Sequence, residues 1–160
     1  MADFIQIKKD DILRIGIKDA NGVETGEHLE FDLEDIELPL RINECEIRHK
    51  KNVEFLRNQF LIIDKKEDKQ GKYVLSWKEE EKLKVLKEYY KREEEALDLF
   101  LGEGGTRKLL NGRNPYHSMY DDINEILEPI MPKFKLRADE IANKIKTKYS
   151  KNTNEKNVLQ

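Results

Sequence analysis

At Pro39 the period of the apolar residues changes, and that switch constrains the fold more than any other feature of the chain. Before it, Leu13, Ile15 and Ile17 alternate with Arg14, Gly16 and Lys18, and Leu29 and Phe31 sit among His28, Glu30 and Asp32. Alternation puts one set of side chains on one face of a pleated strand, so both runs read as half-buried strands. The connection from Asp19 to Glu27 holds Asn21-Gly22 and Gly26, residues that tolerate positive φ, and predicts a hairpin with a reversal longer than two residues. Ile5 and Ile7 are expected to add a third short strand. A lone hairpin is marginal in water, so this one must lean on a helix or on another copy of itself.

After Pro39 the spacing is helical. Ile42, Glu46, His49, Val53, Leu56, Phe60 and Ile63 form one stripe of a helix of roughly 25 residues, with Pro39 at a tolerated first-turn position. The charged stretch from Asp64 to Leu75 contains Gly71 and reads as a surface loop, with Ser76 as N-cap of the next helix. That helix spans about Trp77 to Leu101 with Leu83, Leu86, Tyr90, Leu97 and Phe100 as its stripe; Glu80/Lys84 and Glu88/Arg92 are i,i+4 pairs in the favourable order. Gly102-Glu103-Gly104-Gly105 ends it. Thr106 is expected to cap a short helix through Leu110, closed by Asn111-Gly112. Asn114-Pro115 reads as N-cap and first residue of a helix that turns Tyr116, Met119, Tyr120, Ile123, Ile126, Leu127 and Ile130 inward, and Pro129 and Pro132 stop it. A last helix, Leu136 to Tyr149, carries Ala138, Ile141, Ala142, Ile145 and Tyr149 on one side. The expected class is α+β, mostly α: a β-hairpin unit (1–37), a helical domain of about five helices (38–149) and a flexible tail (150–160).

Composition bounds the function. Leu, Ile, Val and Phe exceed the ~20% expected of folded chains. The 30 Lys and Arg nearly cancel 33 Asp and Glu, which argues against a general nucleic-acid binder, since such domains are normally basic. The single cysteine, Cys45, forms no internal disulfide and points to a reducing cytoplasm. No apolar run approaches the ~18 residues of a membrane span, and the N-terminus lacks the regions of a signal peptide, so the chain is expected to stay soluble where it is made.

Catalytic and cofactor motifs find little support. The glycines at 102–105 lack the spacing of a phosphate-binding loop, with Lys108 misplaced, and follow a helix instead of a strand. His28, His49 and His117 stand in no metal-binding arrangement, and neither a metal nor a cofactor is expected. His49 and Glu46 lie one turn apart on the first long helix, where they can bond to each other or to a partner chain. Cys45 with His49 is a conceivable nucleophile and base, but working pairs are set by tertiary geometry. Asp121, Asp122 and Glu125 suit the first turns of a helix, where the macrodipole favours acids. The reading is that the chain is not an enzyme.

Charge is segregated beneath the neutral total. Residues Glu24 to Glu37 hold seven acids and no Lys or Arg, whereas Lys133 to Lys151 hold seven bases against Asp139 and Glu140. The acidic β unit is therefore expected to meet the basic C-terminal helix, within a protomer or head to tail between protomers.

From Leu97 through the Leu101-Gly102-Glu103-Gly104-Gly105-Thr106 corner to Leu110, and on through Gly112-Arg113-Asn114-Pro115 to Ile130, the chain resembles the tail assembly chaperones of long-tailed phages and prophages of Gram-positive bacteria. The likeness spans about residues 12 to 149. It implies a non-enzymatic late protein of the bacterial host cytoplasm, absent from the mature virion, that binds the tape measure protein, recruits tail tube protein and commonly forms homo-oligomers. The contact residues expected on this basis are Gly102, Glu103, Gly104 and Gly105; Tyr116, Met119, Tyr120, Ile123 and Leu127; and His49 and Phe60. Two rival readings are a virion structural protein, such as a tail completion or connector subunit, and a nucleic-acid-binding regulator using Lys133 to Lys151 with Phe134 and Tyr149.

Overall fold

A computed structural model describes residues 3–7 and 11–158, with 151–158 described through the backbone. Among these residues two strands, β1 (Ile12–Lys18) and β2 (Glu24–Asp32), precede five helices: α1 (Glu37–Asp64), α2 (Trp77–Leu101), α3 (Gly105–Leu110), α4 (Met119–Leu127) and α5 (Met131–Val158). The class is α+β, mostly α, with an N-terminal hairpin.

β1 and β2 pair antiparallel, Leu13 opposite Phe31 and Ile15 opposite Leu29. This register gathers the alternating apolar residues on one face, where Ile17, Leu29 and Phe31 are buried. On the other face Arg14 and Glu30 form an exposed pair at 2.7 Å. The reversal is shorter than its glycines suggested. Asp19 donates its backbone N–H to the Val23 carbonyl, and its carboxylate accepts from the N–H groups of Asn21 and Val23 at 2.9 Å each, so the turn closes before Glu24. Gly26, at φ +82°, therefore lies inside β2, close to the irregular pairing between Gly16 and Lys18, and serves a bulge. The expected third strand is not there: residues 3–7 have no regular structure, and Ile5 and Ile7 are 96% and 85% exposed. Two alternating isoleucines with no apolar face to cover gain too little to offset the entropy of ordering them.

α1 and α2 lie antiparallel. Toward the loop that joins them, the molecule is two helices thick, and cationic stems cover the seam: Lys82 pairs with Asp64 at 2.6 Å and lies over the Phe60 ring, and Arg92 stacks on Phe55 at 3.8 Å. Toward the other end the hairpin, α3, α4 and the start of α5 enclose the core, in which Phe31, Leu38, Leu97, Phe100, Met119, Ile123, Leu127 and Phe134 are buried. The hairpin leans on α2, α3 and α5, with Phe31 and Phe134 ring centroids 5.3 Å apart.

The expected stripe of α1 holds in part. Ile63 is buried and Ile42, His49, Leu56 and Phe60 are partly covered, but Glu46 and Val53 are exposed, and Leu38, Cys45 and Asn52 are buried beside the stripe. α1 touches α2 on one side and α5 on the other, so its inward arc is wider than one stripe. At α2 the cap forms as expected: the Ser76 hydroxyl accepts from the Glu79 N–H and the Glu79 carboxylate accepts from the Ser76 N–H, both at 3.2 Å.

Three boundaries move. Gly104, not Thr106, is the N-cap of α3, and Thr106 lies buried inside the helix. Asn114-Pro115 starts no helix; residues 113–116 are irregular, in keeping with the extended backbone that proline imposes on its predecessor, and α4 begins behind Ser118. Pro132 does not stop a helix but sits in the first turn of α5, where its missing N–H is no loss. At the other end, the stretch read as a flexible tail continues α5 as helix to Val158.

Candidate functional site

The glycine corner is built around a residue that carried no role in the sequence reading. Asp98, in the last turn of α2, accepts from the Thr106 N–H at 2.9 Å, the Thr106 hydroxyl at 2.6 Å and the Gly104 N–H at 3.3 Å. Its carboxylate thus occupies the start of α3, where the free amides of a helix would otherwise attract an anion. Gly104, at φ +73°, reaches that geometry because it lacks a Cβ. Gly105 is required by space: a Cβ there would stand 2.6 Å from the Leu101 Cβ. The corner is pinned, not slack. Gly102 and Glu103 are exposed on it and Gly105 is buried beneath.

A second cluster joins α1, α2 and α4. Glu93 is 1% exposed. It lies 2.7 Å from Nδ1 of His49 and accepts from the Asn52 amide at 2.8 Å. With Glu93 as carboxylate, Nδ1 carries the proton. The His49 ring stacks on Tyr120, centroids 3.5 Å apart and 6° from parallel, and the Tyr120 hydroxyl donates to Glu46 at 2.7 Å. His49 and Glu46 therefore do not pair with each other; each bonds across to another helix. Burial pushes the Tyr120 hydroxyl far above its usual range, reinforced by its bond to Glu46. Burial likewise pushes the Tyr89 hydroxyl up to about 12, with the charge of Glu93 adding to it. The Cys45 thiol is pushed up to about 12 by burial, so it stays protonated beside His49 and is not an activated nucleophile. Chemically, the cluster is a satisfied buried network that sets helix register.

The expected contact residues divide accordingly. Met119, Tyr120, Ile123 and Leu127 are buried in the core, so they are not available at the surface. Tyr116 is half-buried under the guanidinium of Arg113, 3.9 Å from its ring. Phe60 is partly covered by Lys82. His49 belongs to the polar network. Asp121 and Asp122 stand in the first turn of α4, Asp122 accepting from the Ser118 hydroxyl at 3.1 Å, and Glu125 lies beyond it. Among the described residues no group of three or more His, Cys, Asp or Glu side chains is placed to hold a metal ion.

An open groove with apolar lining lies where sequence periodicity predicted core. Leu83, Leu86 and Tyr90, the first half of the α2 stripe, line a groove of roughly 860 Å³ closed on its far side by Arg107, Asn114 and Pro115. Leu83 is 50% exposed. Lys84, Lys87 and Lys91 rim the groove together with Glu88 and Glu94, and Glu94 is held by Arg107 at 2.7 Å. A second groove of roughly 650 Å³ lies between the starts of α1 and α5 and the end of α4. Periodicity identified the apolar residues of the first groove, but only the tertiary fold shows that Leu83 stays half exposed there beside the partly covered Leu86 and Tyr90.

No helix among the described residues is long and apolar enough to cross a membrane. Comparison with family models, with curated proteins and with solved structures finds no match to this chain.

Proposed function

We propose that this chain is a non-enzymatic phage tail assembly chaperone that binds apolar helical segments of a tape measure protein and promotes assembly of tail tube protein around it. One observation carries the reading: the Leu83, Leu86 and Tyr90 face of α2 is apolar, open and rimmed by charge. An amphipathic helix recognises such a surface through residues at i, i+3, i+4 and i+7, and a charged rim keeps the covered client in solution. The excess of lysine on that rim favours a client stripe flanked by Asp and Glu. The resemblance through the Gly102–Gly105 corner, which abuts the groove through Arg107, supports the same assignment.

Co-expression with a tape measure fragment tests it. The fragment is expected to become soluble with this chain and to stay insoluble without it; insolubility in both cases contradicts the reading. Mass spectrometry of purified virions separates a chaperone, which is absent from the particle, from a tail completion or connector subunit, which is present.

A further inference from the structure

α5 has 28 residues, a length of ~42 Å at 1.5 Å per residue, and only its first part packs on the body. Phe134 is buried, Ala138 and Ile141 are partly covered, and every residue from Ala142 to Ser150 is exposed. A helix with no tertiary contacts is marginal in water. This one also displays Ile145, 51% exposed, beside Lys144, Lys146 and Lys148. No acid among the described residues is paired with these three lysines.

The second groove has the complementary character. Pro39, Ile42, Met131 and Ala138 supply apolar lining, and Glu46, Glu128 and Asp139 face one cation, Lys135. Helix and groove cannot meet within one chain. α5 is continuous, its first turns form a wall of the groove, and its distal half therefore leads away from it.

We infer that the distal part of α5, from Ala142 to Ser150, docks in the α1–α4–α5 groove of a second copy and that the second copy's α5 docks in return. The exchange is isologous, so it closes at a dimer and does not run on as a filament. Ile145 enters the apolar lining and the lysines meet the carboxylates of the rim. Symmetry doubles each helix-and-groove contact, which brings the buried surface toward the ~800 Å² per partner of a stable interface. The basic C-terminal segment then meets acids between copies through the groove, and within one copy through Arg137 and Glu34. The open face of α2 takes no part, so dimerisation and client binding are separate properties.

Sedimentation velocity of the full chain tests the exchange. The expected result is a dimer that weakens when salt is raised to about 1 M, where the screening length falls to ~3 Å. Ile145→Glu is expected to weaken association more than about tenfold, because an apolar side chain is lost from both symmetric contacts. Thermal unfolding at monomer concentrations should not change, since Ile145 lies outside the core. Lys144→Glu with Lys148→Glu is expected to dissociate the dimer, and adding Glu128→Lys with Asp139→Lys to restore it. A wild-type chain that sediments as a monomer, a dimer that survives Ile145→Glu, or charge reversal without rescue overturns the inference.

Discussion

Glu93 is the residue whose removal should be felt most. It is fully buried, and its two oxygens engage His49 and Asn52 from the neighbouring helix. Truncation strands both partners and leaves a cavity, so Glu93→Ala is expected to lower stability by about 3 kcal/mol in urea unfolding, whereas Glu93→Gln, which keeps an acceptor for Asn52, should cost less. Equal losses in the two variants would mean that the network contributes packing alone. Cys45 is 2% exposed and its thiol is pushed up to about 12 by burial. In native protein at mildly alkaline pH it should react with an alkylating reagent far more slowly than in urea, as followed by mass spectrometry. Asp35 titrates in the opposite sense. Its hydrogen bond from Arg41 holds the carboxyl below its ordinary value, so its stabilising contribution is complete above the ordinary carboxylate range and is lost as pH falls through the depressed value. Asp35→Asn should therefore be less stable than wild type at neutral pH, and the difference should close in acid. None of these roles could be read from composition. Glu93 looks like one more surface glutamate in a charged run, and only the packing of α1 against α2 reveals it as core.

At the scale of elements, legibility depended on how local the signal was. The capping box at Ser76 and Glu79 lies within four consecutive residues, so sequence placed the start of α2 correctly; Ser76→Ala should cost about 1 kcal/mol. The strand faces were equally legible, because alternation and register agree at Leu13, Ile15, Leu29 and Phe31. The α2–α3 corner was legible as a break but not as a mechanism, since Asp98 reaches it from eight residues away at Thr106. Asp98→Ala removes three hydrogen bonds from the first turn of α3, and a loss of about 2 kcal/mol is expected, with amide exchange in residues 105–110 accelerated more than in α1. Unchanged protection there would show that α3 is held by packing without its cap. Proline misled in both directions: Pro115 has a preceding asparagine but no helix, and Pro132 stands inside the first turn of a helix it seemed to end. Proline forbids a helix interior but does not say whether a helix begins there, and neighbouring contacts decide.

The whole molecule adds what neither residues nor elements contain. Among the described residues, the expected meeting of acidic hairpin and basic C-terminal helix occurs through Arg137, which pairs with Glu34 at 2.8 Å and with Asp11 at 2.7 Å, and with Glu140 on its own helix. Beyond Ile141 the helix leaves the body, and Lys144, Lys146 and Lys148 face solvent. Sequence could show that α2 has an apolar stripe but not that its two halves have different fates, Leu97 and Phe100 in the core and Leu83, Leu86 and Tyr90 on an open groove. That division underlies the chaperone assignment, and the groove can be challenged without disturbing the core because Leu83 is half exposed. The direct measurement is a titration of a soluble, helical tape measure segment into wild-type protein and into Leu83→Asp, with thermal unfolding of both as the control. The account predicts saturable binding to wild type, a loss of more than about tenfold in Leu83→Asp, and matching unfolding curves. No binding to wild type, or undiminished binding to the variant, would contradict it.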